Sequence, residues 1–169
     1  VPNGNVTVKA ASKIGYTGIV GGLANSGGHG IGASVSVLVV NNEILAQTGN
    51  GVTITAGKKI HVDADSKETI VAVVVNGAAA TGTNSGVAVA VSPSVNVIKG
   101  STRAIAGTGS YTANSMDVTA DSTTKIVILS GGAAVSTGKA GVGGSVQVDV
   151  FLKKVKARIE DGTADAPAV

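Results

Sequence analysis

Several residue types that stabilise many small proteins are scarce or absent in this chain. It contains no cysteine and no tryptophan, and its aromatic residues are Tyr16, Tyr111 and Phe151. The absence of cysteine excludes a disulfide framework and a thiolate metal site. The shortage of aromatic residues argues against the bulky core of an ordinary enzyme domain.

Long apolar runs and a strong charge of one sign are also missing. The longest apolar run, residues 70–75, has the length of a strand and is far short of the roughly 20 residues that a membrane helix needs. The net charge of +3 is too small to indicate a nucleic-acid partner. The first residues have neither the charged region nor the apolar block of a signal peptide, and we expect the chain to be a fragment or a processed product.

The chain is rich in small residues, with 28 Val, 25 Gly and 24 Ala among its 169 positions. Its hydrophobic fraction of 43% and its mean hydropathy of +0.37 exclude general disorder. A core of Val, Ala and Gly is thin, and it suits elements that approach one another closely. The length fits one domain.

The sequence aligns with itself at an offset of about 55 residues, which predicts a tandem repeat. Two sets of anchors carry the alignment: Val8, Val62 and Val118, and Ser34, Ser92 and Ser145. We divide the single segment 1–169 into the end of one repeat (1–26), two repeats (27–81 and 82–136) and the start of a further repeat (137–169).

Apolar and polar residues alternate within each repeat. Valine occupies every second position of 35–39 and of 146–150, and Val62 and Ala64 alternate with aspartates. This period of two predicts strands with one buried apolar face and one wet face. Pro93 lies in such a stretch, so we expect a bulge, a strand edge or a corner there. No stretch has the periodicity and caps of a helix.

The glycine-rich segment 27–32 is similar to phosphate-binding loops in composition alone. Such a loop needs a helix after it, whereas the residues that follow here have the pattern of a strand. We therefore interpret the segment as a tight turn or a place of close backbone packing.

Short strands, small residues and internal repetition predict an all-β fold, a right-handed parallel β-solenoid (β-helix) in which each repeat winds two or three coils. The turn spacing also permits an antiparallel β-sandwich. The internal repetition favours the solenoid.

Three segments resemble the repeats of fusobacterial leukotoxin-type filamentous adhesins, which are similar to filamentous haemagglutinin-like large exoproteins. They are Gly-Ile-Gly-Ala-Ser-Val-Ser-Val at 30–37, Ser-Val-Asn-Val-Ile at 94–98 with Thr-Arg-Ala-Ile at 102–105, and Val-Thr-Ala-Asp-Ser at 118–122. The resemblance covers nearly the whole chain. It implies a secreted or bacterial cell-surface (outer membrane-associated) location, cell adhesion or cytotoxicity in virulence, and no catalytic residue.

His61, Asp63 and Asp65 are the weak candidates for a metal or acid–base site, because alternate residues leave a strand on the same face. The repeat favours a simpler interpretation. The equivalent positions are Asp117, Thr119 and Asp121 in one copy and Thr7, Lys9 and Ala11 in another. A face that exchanges these residue types freely is typical of a solvated surface.

Lys153, Lys154, Lys156 and Arg158 form the densest positive cluster, a candidate patch for an anionic ligand such as a sulfated glycan or an anionic lipid head group. The alternative is a solvated face whose lysines protect a strand edge. Nucleic acid is not expected, because Phe151 alone lies near enough to stack on bases.

We therefore expect a structural and adhesive repeat segment of a large exoprotein, with no enzymatic activity, no cofactor and no membrane insertion. Its expected partners are neighbouring repeats, further copies joined end to end, and a host-cell surface protein or glycan. A second hypothesis is a self-assembling extracellular filament subunit. A third is a glycan-active β-helix enzyme, which would depend on Asp63 or Asp65.

Overall fold

The chain folds into β-strands joined by short turns. A computed structural model describes residues 3–82 and 86–160 and the backbone of 163–165, and this part of the chain contains no helix. The strands are β1 (Val6–Ser26), β2 (Gly30–Ala33), β3 (Ser36–Gln47), β4 (Val52–Thr55), β5 (Lys59–Ala80), β6 (Val87–Ala106), β7 (Gly109–Thr112), β8 (Ser115–Ser136), β9 (Ala140–Ile159) and β10 (Thr163–Asp165).

The strands form three sheets in which every described pairing is parallel. The first sheet has the order β1-β5-β8, and the third has the order β10-β7-β4. In the second sheet β6 lies between β9 on one side and β2 and β3 on the other. The alternative of an antiparallel β-sandwich is therefore wrong. The all-β architecture with parallel sheets fits the β-helix-like class.

Each strand pairs with a segment that lies about one repeat away along the chain. Val87 pairs with Ala140, and Gly30 pairs with Ala88. The register places Val62 beside both Val8 and Val118, as the alignment of the sequence with itself predicts. A stretch of about 55 residues therefore adds one strand layer to each sheet, and the expectation that such a stretch winds two or three stacked coils is wrong.

The space between the first and second sheets is very narrow where β1, β5 and β8 end and β2, β6 and β9 begin. We call this region the narrow end. A Cβ added to Gly132 would lie 2.7 Å from the carbonyl oxygen of Ala90, and one added to Gly141 would lie 2.7 Å from that of Ala134. Both distances are well inside normal van der Waals separation. Glycine is present here because the two backbones leave no room for a side chain, and Gly30 and Gly32 in the segment 27–32 show the same close packing.

The opposite, wide end holds the bulkier part of the core and packs against the third sheet. Ile60 and Tyr111 are buried there in one cluster with three alanines. The Tyr111 hydroxyl donates to the carbonyl oxygen of Gly107 and lies 2.6 Å from Thr48 Oγ1, which accepts from the Gly107 N–H at 2.9 Å. Because its only polar atom has partners, this tyrosine fills the corner without a buried, unsatisfied hydroxyl.

The side-chain alternation is as predicted in the first sheet and reversed in part of the second. Val62 and Ala64 of β5 are fully buried, as expected. In β3, however, Val37 and Val39 face outward with exposed fractions of 68% and 64%, whereas Leu38 between them is buried. In the middle of β6 the buried positions between Ala90 and Ile98 are Ser92, Ser94 and Asn96, and the valines lie on the other face. The prediction that the alternating valines of 35–39 and 146–150 are buried is wrong.

Hydrogen bonds explain how the interior accepts these polar residues. Asn76 Nδ2 donates to Ser92 Oγ at 2.8 Å, and Ser92 Oγ donates to the carbonyl oxygen of Gly131 at 2.8 Å. Asn96 Nδ2 donates to Ser94 Oγ at 3.2 Å and to Asp149 Oδ1 at 2.7 Å. Small side chains that donate to one another fit between closely spaced sheets, and only Oδ1 of each of these two asparagines has no partner.

Pro93 interrupts the neighbouring strand and leaves its own strand continuous. β6 runs through Pro93, which stays in register with Val146 of β9. On the other side, the break between β2 and β3 at residues 34–35 lies level with Pro93. Proline has no N–H to donate to a ladder, so one neighbouring strand loses its pairing at this level.

Candidate functional site

His61, Asp63 and Asp65 lie on the outward face of β5, near the wide end. Their register partners in β1 are Thr7, Lys9 and Ala11, and those in β8 are Asp117, Thr119 and Asp121. The structure therefore brings together the equivalent positions that the repeat alignment predicted. This surface is a ladder of polar side chains that runs across three strands.

Asp63 is held between the two neighbouring strands and is almost completely covered. Lys9 Nζ lies 2.8 Å from Asp63 Oδ2, and Thr119 Oγ1 donates to Asp63 Oδ1 at 2.8 Å. The hydrogen bond from Lys9 lowers the pKa of Asp63 below its ordinary value of 3.8, against a smaller opposing effect of burial. The same hydrogen bond raises the pKa of Lys9. Asp63 therefore acts as an acceptor that joins three strands.

The other acids of this face also have cationic neighbours. Lys67 Nζ lies 3.4 Å from Asp65 Oδ2, and Asp117 forms an ion pair with Lys59. The hydrogen bond from Lys59 lowers the pKa of Asp117. Within residues 3–82 and 86–160, no three side chains of the His, Asp and Glu types are grouped closely enough to hold a metal ion.

The predicted positive patch is smaller in the structure than in the sequence. Lys154, Lys156 and Arg158 alternate along β9 on its outward face, and Arg158 forms an ion pair with Glu160. Lys153 points to the opposite side, into the interior, where it forms an ion pair with Glu68. Lys153 therefore lies apart from the other three basic residues, because adjacent residues of a strand leave on opposite faces.

Glu68 forms the centre of a buried polar cluster that sequence reasoning missed. Its side chain is fully buried. Asn42 Nδ2 donates to Oε1 at 2.9 Å, Thr124 Oγ1 donates to Oε2 at 3.1 Å, and Lys153 Nζ donates to Oε2. Burial raises the pKa of Glu68, but the hydrogen bonds from Lys153 and Asn42 outweigh it, so that the pKa lies below its ordinary value of 4.5.

A glycine makes room for this ion pair. Lys153 and Gly100 are register partners, and a Cβ added to Gly100 would lie 2.9 Å from Lys153 Cδ. The lysine stem therefore crosses the space above Gly100 to reach Glu68. The sequence contains one signal for this arrangement, since Lys153 is out of phase with Lys154, Lys156 and Arg158.

The outer surface of the first sheet also has a shallow apolar groove near the narrow end. It is lined by Gly21, Gly22, Leu23, Val75, Asn76, Gly77 and Ala133. None of these residues is ionisable, so the groove itself supplies no acid, base or charged ligand. It arises because glycines lie beside Leu23, which is 93% exposed.

Comparisons with known proteins identify no relative. No protein-family model matches the chain, and neither a curated protein nor a solved structure matches it. In the part of the chain that the structure describes, no helix has the length and apolar character needed to cross a membrane.

Proposed function

We propose that the chain is a structural and adhesive repeat segment of a large secreted or surface-exposed bacterial exoprotein, of the adhesin or leukotoxin-like kind. In this proposal the three sheets are the sides of a right-handed parallel β-solenoid built from tandem repeats. The segment has no catalytic role. Each repeat stacks on the one before it, and any binding is spread over the outer surface.

The observation that carries the proposal is the continuous parallel register. Val6–Ser26 is paired with Ile60–Ala80 without interruption, and Lys59–Ala80 is paired in the same way with Ser115–Ser136. Equivalent residues of successive segments therefore lie side by side. In such a stack each layer satisfies the backbone hydrogen bonds of the next layer, which supports a stiff, extendable body.

The dimensions support a role in a very large protein. Strands in a sheet lie about 4.8 Å apart, so one repeat of about 55 residues lengthens the body by about 4.8 Å. A projection of about 100 Å would need roughly 20 such layers. β5 has 22 residues, and a layer built on a strand of this length is broad and stiff.

Binding of the purified, fluorescently labelled chain to cultured animal cells and to immobilised sulfated glycans tests the adhesive role. We expect saturable binding that weakens in a Lys154→Glu, Lys156→Glu variant, because both lysines lie on the outward face of β9. The matched control is Lys13→Glu, Lys125→Glu in the first sheet, which should bind normally. Absence of saturable binding to both cells and glycans would refute the adhesive role.

The alternative is a self-assembling extracellular filament subunit. The observation that favours it is the edge of the second sheet, because β9 pairs with β6 alone among the described strands. An unpaired edge is a template for another chain. Electron microscopy of the pure chain separates the two functions, since ordered end-to-end polymers support the filament and their absence supports the adhesive segment.

A further inference from the structure

The outer face of the second sheet is a regular array of apolar side chains near the narrow end. We call it the valine face. It consists of five rungs of three residues, one residue from each layer. In order they are Ile31, Val89 and Val142; Ala33, Val91 and Gly144; Val35, Pro93 and Val146; Val37, Val95 and Val148; and Val39, Val97 and Val150.

No member of the valine face has a polar side chain, and most of the face is open to solvent. Val37, Val95 and Val148 of the fourth rung are exposed by 68%, 38% and 48%. Three strands about 4.8 Å apart and nine residues of about 3.3 Å each span roughly 14 Å by 30 Å, or about 430 Å². This is as large as the largest apolar patch of a typical monomer.

The area matches the requirement of a weak protein–protein interface. Two such faces in contact would bury roughly 900 Å², close to the lower limit of about 1,000 Å² for a specific interface. The face is also uneven. Ala33 and Gly144 of the second rung project less than the neighbouring valines.

The composition of the face favours a protein sheet over a lipid surface. Interfacial membrane contacts rely on aromatic and leucine side chains next to basic ones. Basic residues lie beyond one end of the valine face, but the face itself has no aromatic or leucine member, and its β-branched residues form a rigid surface. Parallel sheets, moreover, are normally covered on both faces.

The charges beside the face determine the orientation of a pair. Beyond the fifth rung the outward positions of β6 and β9 carry Lys99, Arg103, Lys154, Lys156 and Arg158. Arg103 forms an ion pair with Glu43 and Arg158 forms one with Glu160, so the excess of positive charge comes from the three lysines. If two copies stacked with their strands parallel, the basic residues of one copy would face the basic residues of the other and repel them. If the strands are antiparallel, the basic residues of the two copies lie at opposite ends of the contact and do not face each other.

We propose that two copies of this chain associate face to face through the valine face, with their strands antiparallel and their third rungs opposed. The contact is isologous, so it closes after two copies and does not propagate. It is distinct from end-to-end stacking, which uses the edges of the sheets.

Analytical ultracentrifugation over a range of concentrations tests the association. The chain should form a dimer with a Kd in the micromolar range, as expected for an interface of roughly 900 Å². Val37→Lys and Val95→Lys should each raise this Kd at least about tenfold, because each would bury a charge in the contact. The control is Val135→Lys, because Val135 of the first sheet is exposed by 67%, almost as much as Val37.

Val135→Lys should leave the Kd within about twofold of the value for the unsubstituted chain, since substitutions outside a contact usually have small effects. A thermal unfolding curve for each variant verifies that it is folded. A monomer at all concentrations, or equal weakening by Val37→Lys and Val135→Lys, overturns the proposal. A monomer that sediments with phosphatidylcholine vesicles, and loses this property in Val37→Lys, overturns it in favour of a lipid surface.

Cross-linking tests the orientation, and the lack of cysteine in the chain makes introduced thiols unique. Opposed third rungs place the second rung of one copy over the fourth rung of the other. Facing sheets lie about 10 Å apart, within reach of a short bis-maleimide. A mixture of Val91→Cys and Val95→Cys chains should therefore cross-link faster than either alone. Faster cross-linking of each variant with itself overturns the antiparallel arrangement.

Discussion

At the scale of the residue, Glu68 is where burial and charge oppose each other most directly. Its carboxylate is fully buried and has Lys153 as its ion-pair partner. A carboxylate loses its hydration on burial, and only close donors compensate for that loss. Here three side chains from β3, β8 and β9 donate to it. The cluster therefore joins both main sheets through one residue of β5.

The pKa of Glu68 predicts how stability depends on pH. It is lowered from 4.5 in the folded chain, so the folded state binds a proton less readily than the unfolded state. The resulting stabilisation is complete above about pH 5 and is lost as the pH falls through the folded pKa. Asp63 and Asp117 act in the same direction. The free energy of unfolding in urea should therefore fall as the pH is lowered below about 5.

Glu68→Gln isolates the contribution of this carboxylate. It should lower the free energy of unfolding by about 3 kcal/mol at pH 7, since it leaves Lys153 without its buried partner. It should also make the free energy of unfolding depend less on pH in the acid range. Glu43→Gln is the control, because Glu43 is paired with Arg103 but 62% exposed. It should cost no more than about 0.5 kcal/mol. Equal losses in the two variants, measured by urea unfolding, would contradict the role assigned to Glu68.

The sequence predicted where His61, Asp63 and Asp65 lie, but it did not predict all of their contacts. The repeat alignment placed His61, Asp63 and Asp65 on one face with their equivalents, and the register agrees. The capture of Asp63 by Lys9 and Thr119 depends on side chains that lie about one repeat before it and one repeat after it, as the register pairs show. No local pattern contains such a contact.

At the scale of the element, glycine has two different roles in β9. Gly143 faces the interior, where a Cβ would collide with the backbone of Gly132, whereas a Cβ on the adjacent Gly144 would meet nothing within 4 Å. The first glycine is required by the narrow space between the sheets. The second has no steric reason to be glycine.

Alanine substitutions at these two neighbours test the narrow end. Gly143→Ala should destabilise the chain by about 2 kcal/mol, because overpacking forces the two backbones apart. Gly144→Ala should be neutral or stabilise by up to about 1 kcal/mol, because it restricts the unfolded chain. Both are measured by urea unfolding monitored by circular dichroism. A similar loss in the two variants would mean that the narrow space does not require glycine.

Alternation identified the strands but could not decide which face is inside. A strand with valine at every second position has the same pattern whichever way it is turned. In β3 and β6 the polar set of Ser36, Ser94 and Asn96 points inward, because small side chains fit the narrow space and Asn96 donates to Ser94. The usual assumption that the apolar set is buried fails there.

At the scale of the whole molecule, every sheet is built from partners that lie far apart in sequence. Val87 and Ala140 are among the nearest partners, and even they are separated by about one repeat. Each pairing must therefore close a long loop before it gains any stabilisation. No described helix supplies a local nucleus.

We expect slow refolding as a result. Proteins dominated by distant pairings fold in milliseconds to seconds, and this chain should refold in seconds or longer. Stopped-flow and manual-mixing dilution from urea, followed by circular dichroism, measure the rate. Repetition at several protein concentrations separates folding from association. Complete refolding within about 10 ms would contradict the prediction.

The sequence by itself determined the strand-rich character, the period of two and the alignment that places Val8, Val62 and Val118 side by side. These features follow from residue types and spacings that can be read along the chain. Only the tertiary structure decided that a stretch of about 55 residues adds a single strand layer to each sheet, that β3, β6 and β9 turn their valines outward and that Lys153 reaches Glu68. Each of these depends on how closely two distant segments approach, and a one-dimensional pattern contains no such distance.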